Sequence, residues 1–166
     1  DRAMTEKNGE IGTGFSVSVA TSWEQTFFSF QLNKTRQVAL RMAIVLGKNG
    51  GAVKPLVNLV KLGLGGNHGN GKQMFSWIHL EDLFNIILFT LSNPELKGIY
   101  NCSSPNPVNN GFLMRAIRQR LKIGFGLPLP KWILKIGAIM INTETELILK
   151  SRWVIPEKLI EAGYVF

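Results

Sequence analysis

The chain has 166 residues with 45% hydrophobic content, enough for one ordinary globular domain with a real core. No apolar run reaches the length of a membrane span, the first residues (DRAMTEKNGE) show no signal-peptide pattern, and the single cysteine, Cys102, excludes an internal disulfide and a cysteine metal cluster, so a cytoplasmic location is the expectation. The net charge is +8, with stretches between Glu24 and Glu81 and between Glu95 and Glu144 that contain no acid; such a field attracts phosphate-bearing partners, and equally describes a merely basic surface.

In chain order, residues 1–17 are rich in Gly, Ser and Thr and read as a loop. Thr21 with Glu24 and Ser22 with Gln25 form two overlapping capping boxes, which predict a helix start there. Val19, Trp23, Phe27 and Phe30 then share one helical face. Val38–Leu46 (VALRMAIVL) is a nearly continuous apolar run ended by Gly47, the pattern of a strand buried on both faces of a parallel sheet. Arg41 interrupts it, and a guanidinium there must be paired or face a ligand; pairing is the expectation. A helix is predicted over Ala52–Leu62.

The stretch Gly63–Asn93 (GLGGNHGNGKQMFSWIHLEDLFNIILFTLSN) passes from a glycine-rich loop through a short strand at Phe75, Trp77 and Ile78 into a helix. The glycines allow positive φ and close approach to a ligand. Leu83, Ile86, Ile87, Thr90 and Leu91 form a helical stripe, Asp82 suits its N-terminal turn, and Asn93-Pro94 stops it. Gly98–Cys102 reads as another strand. Asn109 or Asn110 caps a helix whose core face is Leu113, Ala116, Ile117 and Leu121 and whose last turns carry Arg118, Arg120 and Lys122. Helices follow at Lys131–Ile141 and around Glu144–Lys150, and a last one starts at Pro156 and stops at Gly163. Strands alternating with helices, then mostly helix, mean an α/β protein.

The recognised catalytic motifs are absent. Gly66–Gln73 (GNHGNGKQ) is one residue short of a P-loop, with Gln73 in the magnesium-binding position and a strand following where a helix should. There is no G-x-G-x-x-G and no Tyr-x-x-x-Lys. His68 and His79 lack metal-ligand companions. A lone histidine at a strand end, as at His79, is more often structural than catalytic, and Cys102 reads as a small buried hydrophobe rather than a nucleophile.

The segments LRMAIVLGKNGGA, GLGGNHGNGKQMFSWIHLEDL, GIYNCSSPNPVNN and VIPEKLIEAGYVF, in this order, resemble the latter part of the atypical extended short-chain dehydrogenase/reductases known as epimerase-family or nucleoside-diphosphate-sugar epimerase proteins. The resemblance implies the latter half of a doubly wound, NAD(P)-binding Rossmann-like fold over residues 1–47, and a substrate-binding, mostly helical C-terminal part over 48–166. The glycine fingerprint of such proteins has no match here, so the chain is expected to be part of a longer protein and inactive alone. The resemblance implies NADP or NAD as cofactor, with Val45, Leu46 and Gly47 beside its nicotinamide end. Lys72, Gln73, Ser76, Trp77 and His79 would line the substrate side, for a nucleotide sugar or similar small molecule. Trp77 serves a stacking role or a core role equally well. Glu24 is the candidate for acid/base work, since Ser22-Trp23-Glu24-Gln25 occupies the place of Tyr-x-x-x-Lys. No metal or membrane partner is expected. The competing readings are a basic binding module for nucleic acid or protein, disfavoured by the lack of RNA-module spacing, and a degenerate relative that holds a dinucleotide without turnover.

Overall fold

A computed structural model describes residues 2–48, 50–51, 53–130 and 150–166. The elements are α1 (Phe15–Ser29), β1 (Val38–Met42), β2 (Ile44–Gly47), β3 (Gly50–Gly51), α2 (Val53–Lys61), β4 (Met74–Phe75), β5 (Trp77–His79), α3 (Leu80–Ser92), β6 (Gly98–Cys102), β7 (Val108–Asn109), α4 (Asn110–Arg120) and α5 (Glu157–Glu161). Strand β1 pairs parallel with β6, from Val38 opposite Gly98 to Met42 opposite Cys102. Strand β2 pairs parallel with β5 and antiparallel with β3, while β4 and β7 form an antiparallel pair. The parallel pairs joined through helices make this a mixed α/β fold of the Rossmann type.

The apolar run Val38–Gly47 is two strands, not one. At Ala43 it changes partner: the Ala43 N–H donates to the Cys102 carbonyl at 2.9 Å, and the Ile44 N–H to that of Ser76 at 3.4 Å. The break also shifts the inward phase, since Val38 and Leu40 pack on the core before it and Val45 after it. Burial on both faces does not follow: Met42 is 62% exposed, because one face carries the core and the other borders an open cleft.

The main core joins Ile78, Leu83, Ile86, Tyr100, Cys102 and Leu159, so α3 and α5 cover one face of the sheet and residues on both sides of position 47 share it. In α3 the predicted stripe is buried at Leu83, Ile86 and Thr90 but exposed at Ile87 and Leu91. Its N-cap is His79, whose Nδ1 accepts from the Glu81 N–H, with Asp82 in the first turn. At the other end the Arg36 guanidinium donates to the carbonyls of Thr90, Leu91 and Leu96, placing a cation on the negative pole of the helix. A second cluster packs α2 on α4 through Leu56, Val60 and Met114, with Leu113, Ile117 and Leu121 beside it; Ala116, expected on that face, is exposed. Asn109 caps α4 through its side-chain oxygen and the Phe112 N–H.

Two other expectations are corrected. Helix α1 starts at Phe15, so Thr21 and Ser22 are interior and cap nothing; none of its residues is buried, and Trp23 is 73% exposed. Residues 2–9 are not a loose loop, since Met4 pairs with Trp153 and Ile155 through backbone hydrogen bonds of 2.8 and 2.9 Å. The helices expected at Lys131–Ile141 and Glu144–Lys150 lie outside the described residues, apart from Lys150. The final helix spans Glu157–Glu161, with Pro156 at its N-cap and Gly163 at φ 85° just beyond.

Candidate substrate cleft

A concavity of about 660 Å³ opens between α1, the residues around Met4–Gly12 and the partner change at Ala43. A cleft of this size suits a small organic ligand. It lies where β1 ends at Met42, and the crevice beyond the carboxyl ends of parallel strands is where α/β sheets bind ligands. Met42, Ala43 and Ile44 form its floor. Ser16, Thr21 and Glu24 face it from α1, and Arg41, Ser76, Asn101 and Arg152 from the opposite side.

One ion pair, between Arg41 and Glu24, stands in the cleft, whose lining also includes Glu10 and Arg152. Arg41 donates through Nε and Nη2 to the two Glu24 carboxylate oxygens, at 2.7 and 2.6 Å. The bond from Arg41 holds the Glu24 carboxyl below the usual carboxylate range, against the opposing effect of burial, and the same bond raises Arg41. Both groups are therefore charged at neutral pH. An ionised, doubly bonded carboxylate is a poor proton acceptor, so the pair offers a fixed guanidinium rather than a titrating acid.

Of the residues expected at the site, only Glu24 and Ser76 line this cleft. Ser76 is 3% exposed and its hydroxyl is in use: it donates to the Arg152 carbonyl at 2.7 Å and accepts from the Val154 N–H at 2.8 Å. Val45, Leu46 and Gly47 lie on β2, with Leu46 opposite His79 and Val45 packed on the core. Trp77 is opposite Ile44 on β5, and its indole N–H donates to the Asn106 carbonyl at 3.2 Å. His79 is the cap of α3. Gln73 donates to the His68 carbonyl at 2.9 Å, whereas the Lys72 side chain is exposed.

The glycine loop packs against protein. Gly66 and Gly69 donate to the carbonyls of Leu127 and Leu129, and Leu127 and Leu129 donate back to Gly63 and Asn67. A β-carbon on Gly66 would stand 2.5 Å from the Leu127 backbone. The close approach that glycine permits is thus to the strap Gly126–Leu129. What the sequence pattern missed is the part played by Met42–Ile44 and Arg152, which carry no motif; the only signal was the charge of Arg41 inside an apolar run. Among the described residues no group of His, Cys, Asp or Glu could hold a metal ion, and no helix is long and apolar enough to cross a membrane.

Comparison with known proteins agrees with this architecture. A family profile described as "Domain of unknown function (DUF1731)" matches residues 129–166. The chain is 35% identical over 167 residues to the Arabidopsis thaliana protein named epimerase family protein SDR39U1 homolog, chloroplastic, covering all of this chain and 47% of that protein. It is 30% identical to human epimerase family protein SDR39U1, over 92% of this chain and 51% of that one. The chain thus spans about half the length of the curated relatives it matches. Among solved structures, human SDR39U1 (isoform 2) with NADPH superposes with a TM-score of 0.87 at 28% identity, over 99% of this chain and 55% of that one. A nucleoside-diphosphate sugar epimerase from Corynebacterium glutamicum gives a TM-score of 0.77 at 25% identity, over 100% of this chain and 31% of that one. In sequence and in fold, the chain is similar along nearly its whole length to about half of the proteins named epimerase family protein SDR39U1.

Proposed function

We propose that this chain forms the substrate side of the cleft in an NAD(P)-dependent epimerase- or reductase-like protein acting on a nucleotide sugar or a similar small polar molecule. The observation that carries the reading is the cleft at the end of β1, whose floor is the backbone of Met42–Ile44 and whose wall is the Arg41–Glu24 pair. Its size and mostly apolar floor fit the ring end of a dinucleotide together with a small substrate. Nothing among the described residues resembles the glycine turn that holds a dinucleotide's phosphates, so those phosphates fall to other residues of the protein. When bound, NAD(P) supplies hydride transfer.

In this reading residues 1–47 contribute the cofactor side and, through Arg41, one substrate contact, and 48–166 the rest of the substrate side. The nicotinamide end passes the partner change, so Val45, Leu46 and Gly47 flank it together with Met42–Ile44. The two Arg41 nitrogens are held by Glu24, which leaves Nη1 to donate to a substrate oxygen. Glu24 positions that guanidinium. Ser76 shapes the wall through its bonds to Arg152 and Val154, and a substrate that extends past it would meet Trp77, His79, Lys72 and Gln73.

The test is a fluorescence titration of the protein carrying this chain with NADPH, followed by a panel of nucleotide sugars. Saturable NADPH binding is expected. Arg41→Gln should leave it nearly unchanged while weakening substrate binding by about tenfold or more, the worth of a charged hydrogen bond. A protein that binds no NADPH, or an Arg41→Gln variant with unaltered substrate binding, overturns the reading.

A further inference from the structure

We infer that the C-terminal end of α4 forms a second site, separate from the cleft, for the phosphate or diphosphate group of a small molecule. Arg115 and Arg118 lie three residues apart on one face of α4, and Lys122 follows the helix's C-cap, Leu121. All three line a concavity of about 270 Å³ with Gln119, Ile123 and Gly124. It shares no residue with the cleft at Ala43.

Three features separate this cluster from an ordinary solvated basic face. The first is the absence of counter-charge: no acid occurs between Glu95 and Glu144, and among the described residues none of the three cations has an ion-pair partner. The second is the placing of Arg118, whose side chain runs between two glycine backbones. A β-carbon on Gly126 would stand 2.8 Å from its Nη1, and one on Gly65 would stand 3.1 Å from its Cγ. The third is Lys122, which alone among the described non-glycine residues has positive φ, at 57°. A helix that stops in this conformation normally does so on glycine. A lysine there accepts backbone strain and sets its ammonium at the concavity.

A cation near a helix C-terminus also offsets the dipole, but Arg115 stands more than a turn back and faces the same hollow. The space beside Gly124 is open, and among the described residues no backbone acceptor takes its N–H, so that group adds a donor to the cations. Three cations and an N–H around one small hollow match a compact polyanion. The phosphate run of a nucleic acid calls for cations spread along a track with stacking platforms.

The experiment is a calorimetric titration of the protein carrying this chain with inorganic pyrophosphate at low salt, with and without saturating NADPH. One saturable site that persists with NADPH present is expected. Arg118→Gln and Lys122→Gly should each weaken it by about tenfold or more, with NADPH affinity unchanged in both. Lys122→Gly relieves the backbone while removing the charge, so its loss of binding is not a loss of folding. The inference is overturned if wild-type protein takes up no pyrophosphate, if NADPH abolishes the uptake, or if both variants bind normally. It is also overturned if a single-stranded oligonucleotide binds more tightly and depends on the same two side chains. The pyrophosphate result stands whether or not NADPH binds, so the two readings fail separately.

Discussion

Arg41 and Glu24 are joined by a two-point contact that ties strand β1 to helix α1 across the cleft. The helix has no buried residue, so this pair is a principal tie holding its middle to the sheet. Both side chains are partly exposed, at 41% for Arg41 and 23% for Glu24, and solvent screening limits the pair's worth. Glu24→Gln should therefore cost about 1 kcal/mol or less. Because the folded-state pKa of Glu24 lies below its unfolded value, the pair's contribution is full above the ordinary carboxylate range near about 4.3 and is lost as pH falls through the lower, folded pKa. Melting curves of wild type and Glu24→Gln should accordingly converge toward pH 3. Parallel curves down to that pH would show that the pair adds nothing.

Ser76 is a second joint, between the consecutive strands β4 and β5 on one side and the segment Ser151–Ile155 on the other. Its hydroxyl donates to Arg152 and accepts from Val154, the Met74 N–H donates to the Ser151 hydroxyl, and the Arg152 N–H donates to the Met74 carbonyl. Ser76→Ala removes the hydroxyl that the part-buried Val154 N–H and Arg152 carbonyl both use, which costs about 1 kcal/mol. The measurement is a urea unfolding midpoint. A shift toward lower urea at unchanged slope is expected, and an unchanged midpoint would mean that water replaces the hydroxyl without penalty.

What was legible in the sequence is what local pattern encodes. The stripe at Leu83, Ile86 and Thr90, the stop at Asn93, the strand at Gly98–Cys102 and the Asn109 cap all follow from periodicity and end signals within one segment. The pairing of Arg41 was expected from a buried guanidinium, but the side chain is 41% exposed and pairs all the same; that the partner is Glu24, 17 residues earlier on another element, was not legible. The capping boxes at Thr21 and Ser22 misled because residues with strong capping chemistry also sit inside helices, and nothing local shows that the helix began at Phe15. The break at Ala43 is set by which strand each half meets, which apolar composition does not record. Ser151–Ile155 carries no periodicity, since it is held by irregular bonds to Met4, Met74, Ser76, Asn101 and Ser103.

Cys102 is fully buried between β1 and the core, and burial pushes its thiol up to about 12. Only the thiolate reacts at an appreciable rate. The folded protein should thus resist a thiol-reactive dye at pH 8 and label fully in denaturant. Rapid labelling of the native protein would show that the β6 end opens easily, and would undo the core placement of this residue.

His68 sits within the glycine loop with no exposed surface, and among the described residues neither ring nitrogen has a hydrogen-bond partner. The backbone around it is fully engaged, with Asn110 accepting from its N–H and Gln73 and Gly71 donating to its carbonyl. Burial alone lowers its pKa from the ordinary 6.5, because an imidazolium there would have neither solvent nor counter-charge. The unfolded chain therefore takes up the proton first as pH falls. Stability is complete above the unfolded value near about 6.5 and declines below it, by an amount that levels off at the lower folded pKa. His68→Leu removes the titrating group while keeping the site filled. The melting temperature of wild type should fall more steeply than that of His68→Leu between pH 7 and pH 5, and the two should respond alike above pH 7. Identical profiles across the whole range would mean that the imidazole is solvated in the folded protein and that the loop is open at this point.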